Sequence, residues 1–230
     1  MRRVLPLSAV LTMLALAHPA RAEVPSIIGG KLLPSGTSGH HFGMGLPSTF
    51  WEWWFGGDEM DYAFHVGLVY EDWSAYYSDV DIGLDLEAPM RFHIAQKGRA
   101  DIAFKFAPGI LLADQDRGQG GDDAFMLGLR PELGVLVGIE LSDVVTLATG
   151  GVVPLTLLVL EGPGGDNKIG VVVPLLPRIG VEVKPLDSLV AWGLLELGPT
   201  IAFIDFDGDG DRETDAEMGV RFWVGVTWYP

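Results

Sequence analysis

Cysteine is absent from the 230 residues. The fold must therefore be held by packing and backbone hydrogen bonds, and neither thiol redox chemistry nor a cysteine-ligated metal is open to the chain. Basic residues are scarce, with 15 Lys and Arg against 31 Asp and Glu. A chain of that balance repels phosphate backbones, which argues against a nucleic-acid partner. Motifs of familiar chemistry are missing too. His40, His41, His65 and His93 follow no metalloprotease spacing, and no serine stands in a G-x-S-x-G elbow. Ser48, Ser74 and Ser78 lie near aromatic segments with His41 and His65 as the nearest bases, but no spacing brings them together. No enzymatic reaction is expected.

What is present begins with MRRVLPLSAVLTMLALAHPARA, where Arg2 and Arg3 precede an apolar run that ends at Ala20, Arg21 and Ala22. That layout predicts a cleavable export signal over 1–22, with the mature chain starting at about Glu23. Removing Arg2, Arg3 and Arg21 leaves twelve basic residues and sharpens the acidic balance. The remainder has the length of one large β domain or two small ones. Residues 23–39, rich in turn formers, read as a loosely structured N-terminal arm or a very short edge strand, and 40–230 as a single domain.

The rest of the chain is dominated by alternation. In DVDIGLDL, residues 79–86, Asp79, Asp81, Gly83 and Asp85 share one face of a strand, and Val80, Ile82, Leu84 and Leu86 share the other. The same two-residue period runs through 62–70, 101–107, 127–141, 169–184, 194–203 and 218–229. The segment 144–160 carries no charge and is apolar on both faces; with Gly150, Gly151 and Pro154 it makes a poor membrane helix. PMRFHIAQKG reads equally as a helical connection or a turn of strand. Pro131, Pro154 and Pro174 fall inside expected strands, where each removes a ladder donor and marks a bulge or break. GLDL, GIEL and GVEV end strands at unequal spacings, which excludes a solenoid and fits hairpins with short turns at one end and variable loops at the other.

Several of these strands reach the roughly 9–11 residues needed to cross a bilayer. Their charged residues, Asp79, Asp81, Asp85, Asp101, Lys105, Arg130, Glu132, Glu140, Glu182, Lys184, Glu196 and Arg221, fall almost wholly opposite the aliphatic face. If the aliphatic face met lipid, no sheet edge could stay open, and the strands would close around a lumen lined by those charges. Trp51, Trp53, Trp54 and Tyr62, then Tyr70, Trp73, Tyr76 and Tyr77, and finally Trp223, Trp228 and Tyr229 cluster near strand ends, where interfacial girdles occur. The lumen is then either a paired, closed polar plug or a narrow acidic channel. Side chains fill the inside of a small barrel, so closure is expected.

By this pattern the chain resembles the bacterial outer-membrane β-barrel proteins, especially small ones of eight to ten strands. The resemblance covers most of 40–229. RFWVGVTWYP, 221–230, resembles the final strand read by the barrel assembly machinery, although Pro230 follows the terminal aromatic Tyr229. The resemblance implies an all-β, closed antiparallel transmembrane barrel in the outer membrane, in contact with its lipid and that machinery. The implied role is structural or envelope-associated, with a narrow pore as one form of it.

Two other readings stand beside it: an exported soluble β-sandwich or barrel that binds a ligand or protein, and a lipid-modifying barrel enzyme. The acidic run DFDGDGDRETDAE adds one ligand expectation. Asp205, Asp207, Asp209, Asp211 and Glu213 match the early spacing of a calcium loop, but Ala216 stands where a bidentate Glu belongs. The same residues also make an acidic solvated hairpin loop.

Overall fold

The computed structural model describes residues 25–70, 80–115, 124–161, 167–204 and 213–230. The expected signal, Asp79, Trp73, Tyr76, Tyr77 and the run from Asp205 to Asp211 lie outside these residues, and Asp81 and Glu213 are described only as strand backbone.

Among the described residues there is no helix, and fifteen strands form one antiparallel sheet. They are β1 (Ser38–Leu46), β2 (Ser48–Gly56), β3 (Met60–Val69), β4 (Val80–Glu87), β5 (Met90–Lys97), β6 (Ala100–Ala107), β7 (Gly109–Gln115) and β8 (Ala124–Leu129). The second half contains β9 (Glu132–Ser142), β10 (Val145–Pro154), β11 (Thr156–Glu161), β12 (Asn167–Pro174), β13 (Leu176–Leu186), β14 (Leu189–Ile204) and β15 (Glu213–Trp228).

Fifteen strands replace the eight to ten expected, and proline is the physical reason. β4 and β5 follow one line past Ala88 and Pro89: β3 meets both in a single register, with His65 opposite Glu87 and Tyr62 opposite Met90. β6 and β7 do the same across Pro108, β8 and β9 across Arg130 and Pro131, β10 and β11 across Leu155, and β12 and β13 across Leu175. The breaks lie level with one another around the sheet. The carbonyls of Pro47, Pro89, Pro108, Pro131 and Pro199 still accept a neighbouring N–H at between 2.7 and 3.1 Å. Having no N–H, each proline returns none, so the ladder is thinned along a belt.

The sheet closes on itself. Its order runs β12-β11-β8-β7-β4-β3-β2-β1-β15-β14-β13-β10-β9-β6-β5, and the pairings of β12 with β14 and β3 with β5 join it into a ring of twelve hydrogen-bonded strands. β2, β1 and β15 run in turn between β3 and β14. Short turns at 57–59, 98–99, 143–144 and 187–188 gather at one end with both described termini. The last described residues of β3, β7, β11 and β14 lie at the other.

One part of the ring is shorter. β15 pairs with β14 from Glu213 to Trp228 but with β1 only from Phe222 to Trp228, because the chain turns back at the cis Leu46–Pro47 peptide into β2. On the far side, the described pairing of β4 with β3 runs from Glu87 to Gly83. Among the described residues, 213–221 of β15 therefore have no strand on their β1 side. The hydroxyl of Tyr70 donates to the Gly45 carbonyl beside the turn into β2.

The two faces of the ring are opposite in chemistry. Ile82 and Leu84 are exposed while Gly83 and Asp85 between and beside them are buried, which is the division expected of the DVDIGLDL stretch. The same holds elsewhere: Phe64, Leu133, Val135, Ile179, Val181, Leu195, Phe222 and Val224 point outward, and Glu132, Arg178, Glu182, Lys184 and Glu196 are buried within. Three expected girdle residues are corrected: Trp54 and Trp223 face inward and are buried, and Tyr229 packs on Trp54 and the arm, its hydroxyl donating to the Pro25 carbonyl at 3.2 Å. Glycine makes room for such rings: the indole of Trp192 lies over Gly43 and Gly225, where a Cβ would meet it at 2.8 and 2.4 Å.

Candidate functional site: the ring interior

The short-turn end of the interior is filled by the N-terminal residues. The expected loose arm is instead packed inside, with Ser26–Gly30 buried. Arg91 on β5 holds it there. Its Nη1 donates to the carbonyls of Ser26, Ile27 and Gly29 at 2.6, 2.8 and 3.0 Å, and its Nε donates to Asp61 Oδ1 at 2.9 Å, with Nη2 on Oδ2. The guanidinium also lies 4.7 Å from the centre of the Trp54 ring. Asp61 accepts from the Leu33 N–H at 3.0 Å and Glu182 from that of Ile28 at 3.2 Å. Ile27 and Leu33 complete the plug by packing on Trp54 and Ala63. Arg91 was hidden from sequence reasoning because PMRFHIAQKG did not declare itself a strand; its inward position follows only once Phe92 and Ile94 are seen to face out.

Beyond the plug lies a chamber of about 110 Å³. Its lining carries five acids, Glu52, Asp85, Glu87, Glu132 and Glu196, and five bases, Arg91, Lys105, Arg130, Arg178 and Arg221, together with His41 and His65. Buried charges persist only when paired and hydrogen-bonded, and most of these are. Arg130 Nη1 meets Asp85 Oδ2 at 2.7 Å and Lys105 Nζ meets Glu132 Oε1 at 2.7 Å. Glu52 accepts from Trp54 Nε1 at 2.7 Å and lies 3.0 Å from His65 Nδ1. His41 Nδ1 sits 2.7 Å from Thr227 Oγ1 while its ring stacks on Trp192 at 4.4 Å.

Glu196 is different. It is shared between Arg178 and Arg221, its cross-strand neighbours on β13 and β15, at 3.7 and 3.9 Å. Those separations give Coulomb attraction without hydrogen bonds. Arg178 Nε, Asp85 Oδ1 and Trp192 Nε1 are buried beside the chamber with no hydrogen-bond partner. Toward the long-connection end the interior turns apolar, with Val69, Leu111, Ala113, Met126, Leu158, Val172 and Ala202 packed together.

Of the expected lining residues, Asp85, Lys105, Arg130, Glu132, Glu196 and Arg221 come together around the chamber. Glu182 and Asp101 are buried beside the arm, where the Asp101 carbonyl would lie 2.2 Å from a Cβ on Gly30. Lys184 is buried. Glu140 lies nearer the surface and pairs with Lys31 Nζ at 2.7 Å. Glu52, Glu87, Arg178, His41 and His65 were missed as lining residues. A period-two reading of 48–56 places Glu52 and Trp54 on one face, but the density of aromatics there disguises the strand.

Ser48 Oγ accepts from Trp223 Nε1 at 3.3 Å and has no histidine partner. Among the described residues no group of three His, Asp or Glu side chains is arranged to hold a metal ion. The interior can therefore pair and desolvate charge, and it places a hydroxyl and an imidazole in contact, Thr227 Oγ1 and His41 Nδ1, with Glu52 Oε2 4.0 Å from His41 Nε2. The chain matches no known family and no curated protein.

Proposed function

We propose that the ring is a transmembrane β-barrel of the bacterial outer membrane, sealed at rest, with a structural or envelope-associated role and no reaction of its own. The observation that carries this reading is the inverted distribution of side chains. Among the described residues, thirty-three large apolar side chains are exposed while charged residues are buried inside. Fully burying one such side chain gains about 1.5–3 kcal/mol, so a soluble monomer would forgo that gain at dozens of positions, and exposed apolar patches on soluble monomers are normally small. Lipid supplies the missing partner. A closed ring is also the only sheet that a bilayer tolerates.

In this reading the short turns face the periplasm and the long connections the outside. The arm, the paired charges and the apolar layer fill the lumen in series, which favours a closed plug over a narrow pore. Gel mobility in mild SDS tests the barrel: the folded protein is expected to run as a compact form that boiling converts to a slower one, and recovery as a buffer-soluble monomer without detergent would overturn it in favour of a soluble binding protein. Planar bilayers containing the verified compact form are expected to stay silent, and steady single-channel steps would replace the sealed interior by a pore.

A further inference from the structure

β4 and β14 form opposite walls of the chamber. Pairings lead from one to the other through β3, β2, β1 and β15 in one direction and through β7, β8, β11 and β12 in the other. Followed from Asp85, the first path runs by Gly67, Phe50, Gly43 and Gly225 to Trp192. The second runs by Leu111, Gly128, Leu158 and Gly170 to Ile204. Strands of a closed sheet are tilted and staggered, so the point on β14 level with Asp85 lies midway between those ends, at Gly198. Glu196 is two residues from it, with Arg178 as its neighbour on β13. Asp85 and Arg178 both line the chamber, so they face it at nearly one height from opposite sides.

Each keeps one polar atom unused. Asp85 Oδ2 meets Arg130 at 2.7 Å while Oδ1 has no hydrogen-bond partner among the described residues, and Arg178 Nη1 stands 3.7 Å from Glu196 while Nε has no acceptor among them. The two residues are 6% and 7% exposed, and a buried polar group left unsatisfied costs about 1–3 kcal/mol, more when charged. We propose that the chamber binds a small zwitterion, its ammonium on Asp85 Oδ1 and its carboxylate on Arg178 Nε. The five acids and five bases of the lining balance, so a ligand of net charge would enter uncompensated. One with equal and opposite ends leaves the balance unchanged. Hydrogen bonds that involve ionised groups are about twice as strong as neutral ones, which favours a zwitterion over an uncharged amide. A cavity of about 150 Å³ holds a benzene-sized solute, so about 110 Å³ takes roughly five or six non-hydrogen atoms, the size of glycine or β-alanine. The inference concerns the interior and holds whether lipid or water covers the outer face.

The test uses the full mature protein, folded from urea into detergent micelles in the presence of radiolabelled β-alanine and then brought to equilibrium dialysis. Folding with the probe present removes entry into a closed interior as a cause of failure. Saturable binding of one label per chain is expected. Unlabelled glycine should displace it, while propionate, propylamine and propionamide, each lacking one or both charged ends, should compete at least tenfold less well. Arg178→Lys keeps the charge beside Glu196 and loses Nε, and should weaken binding by about tenfold to a hundredfold, the range for a hydrogen bond to a charged group. Asp85→Asn should weaken it similarly. Each variant is compared only after its near-ultraviolet circular dichroism matches that of the unmodified protein, and the competition series on the unmodified protein stands without them. No retained label on folded protein would mean that the chamber holds water only and would overturn the site. Propionamide competing as well as glycine would overturn the zwitterion in favour of an uncharged ligand, and propionate or propylamine doing so would remove one of its two ends. Undiminished binding by Arg178→Lys would overturn the contact at Nε.

Discussion

Arg91 makes five hydrogen bonds to groups that are otherwise buried, three of them to carbonyls of one short segment. Removing it strands Asp61 and those carbonyls away from water. Breaking a buried pair in this way costs about 3–5 kcal/mol, so Arg91→Leu should lower the temperature at which the compact gel form is lost; an unchanged transition would mean that water reaches Asp61. A residue on the outer face separates membrane from solvent more directly. Leu195 lies mid-strand on β14, opposite Ile179 and Phe222. In a bilayer Leu195→Arg should cost about 2–4 kcal/mol, whereas an ordinary exposed site in water tolerates substitution within about 0.5 kcal/mol. Equilibrium unfolding in urea from lipid vesicles would tell the two apart. At this scale the sequence was readable where side chains alternate cleanly, as in Glu132, Glu196 and Arg221. It was unreadable where pairing decides meaning: nothing local in LPRIGVEVK says that Arg178 and Arg221 share one carboxylate.

The N-terminal arm shows what a strand-by-strand reading misses. Its turn-forming composition suggested looseness, yet glycine and serine there serve close approach instead. A Cβ on Gly30 would lie 2.2 Å from the Asp101 carbonyl and 2.8 Å from that of Leu136, with no flexible side chain to yield. Gly30→Val should therefore expel the arm while the ring, held by its own ladders, persists. Protease added to the folded variant is expected to clip residues 25–34 that remain protected in the unmodified protein. Equal protection would show that the arm can reseat. β3, β4, β6 and β14 declared themselves through period-two patterning, because one face is apolar and the other polar. β2 and β5 did not. In β2 aromatics stand on both faces, and in β5 a bulge between His93 and Ala95 shifts the register.

Closure is the property of the molecule as a whole that sequence could motivate but not count. The expectation of a lumen followed from one-sided charge, and the ring supplies one, whereas the strand tally depended on prolines whose effect is visible only when neighbouring registers are compared. Those prolines also bear on a stage before any membrane is reached. An exported chain of this composition would cross an aqueous compartment unfolded, carrying apolar stretches such as 132–142 and 145–160 that are prone to stack with copies of themselves. Proline within or beside such a stretch blocks that stacking, and Pro131, Pro154 and Pro174 each interrupt one line of the sheet. On the proposed outer-membrane reading, the level belt would act as a set of gatekeepers during transit, at the expense of a few ladder bonds in the finished ring. Replacing Pro131 and Pro154 together by threonine should increase light scattering when urea-unfolded protein is diluted into buffer without detergent, and scattering equal to that of the unmodified chain would remove the prolines from that role.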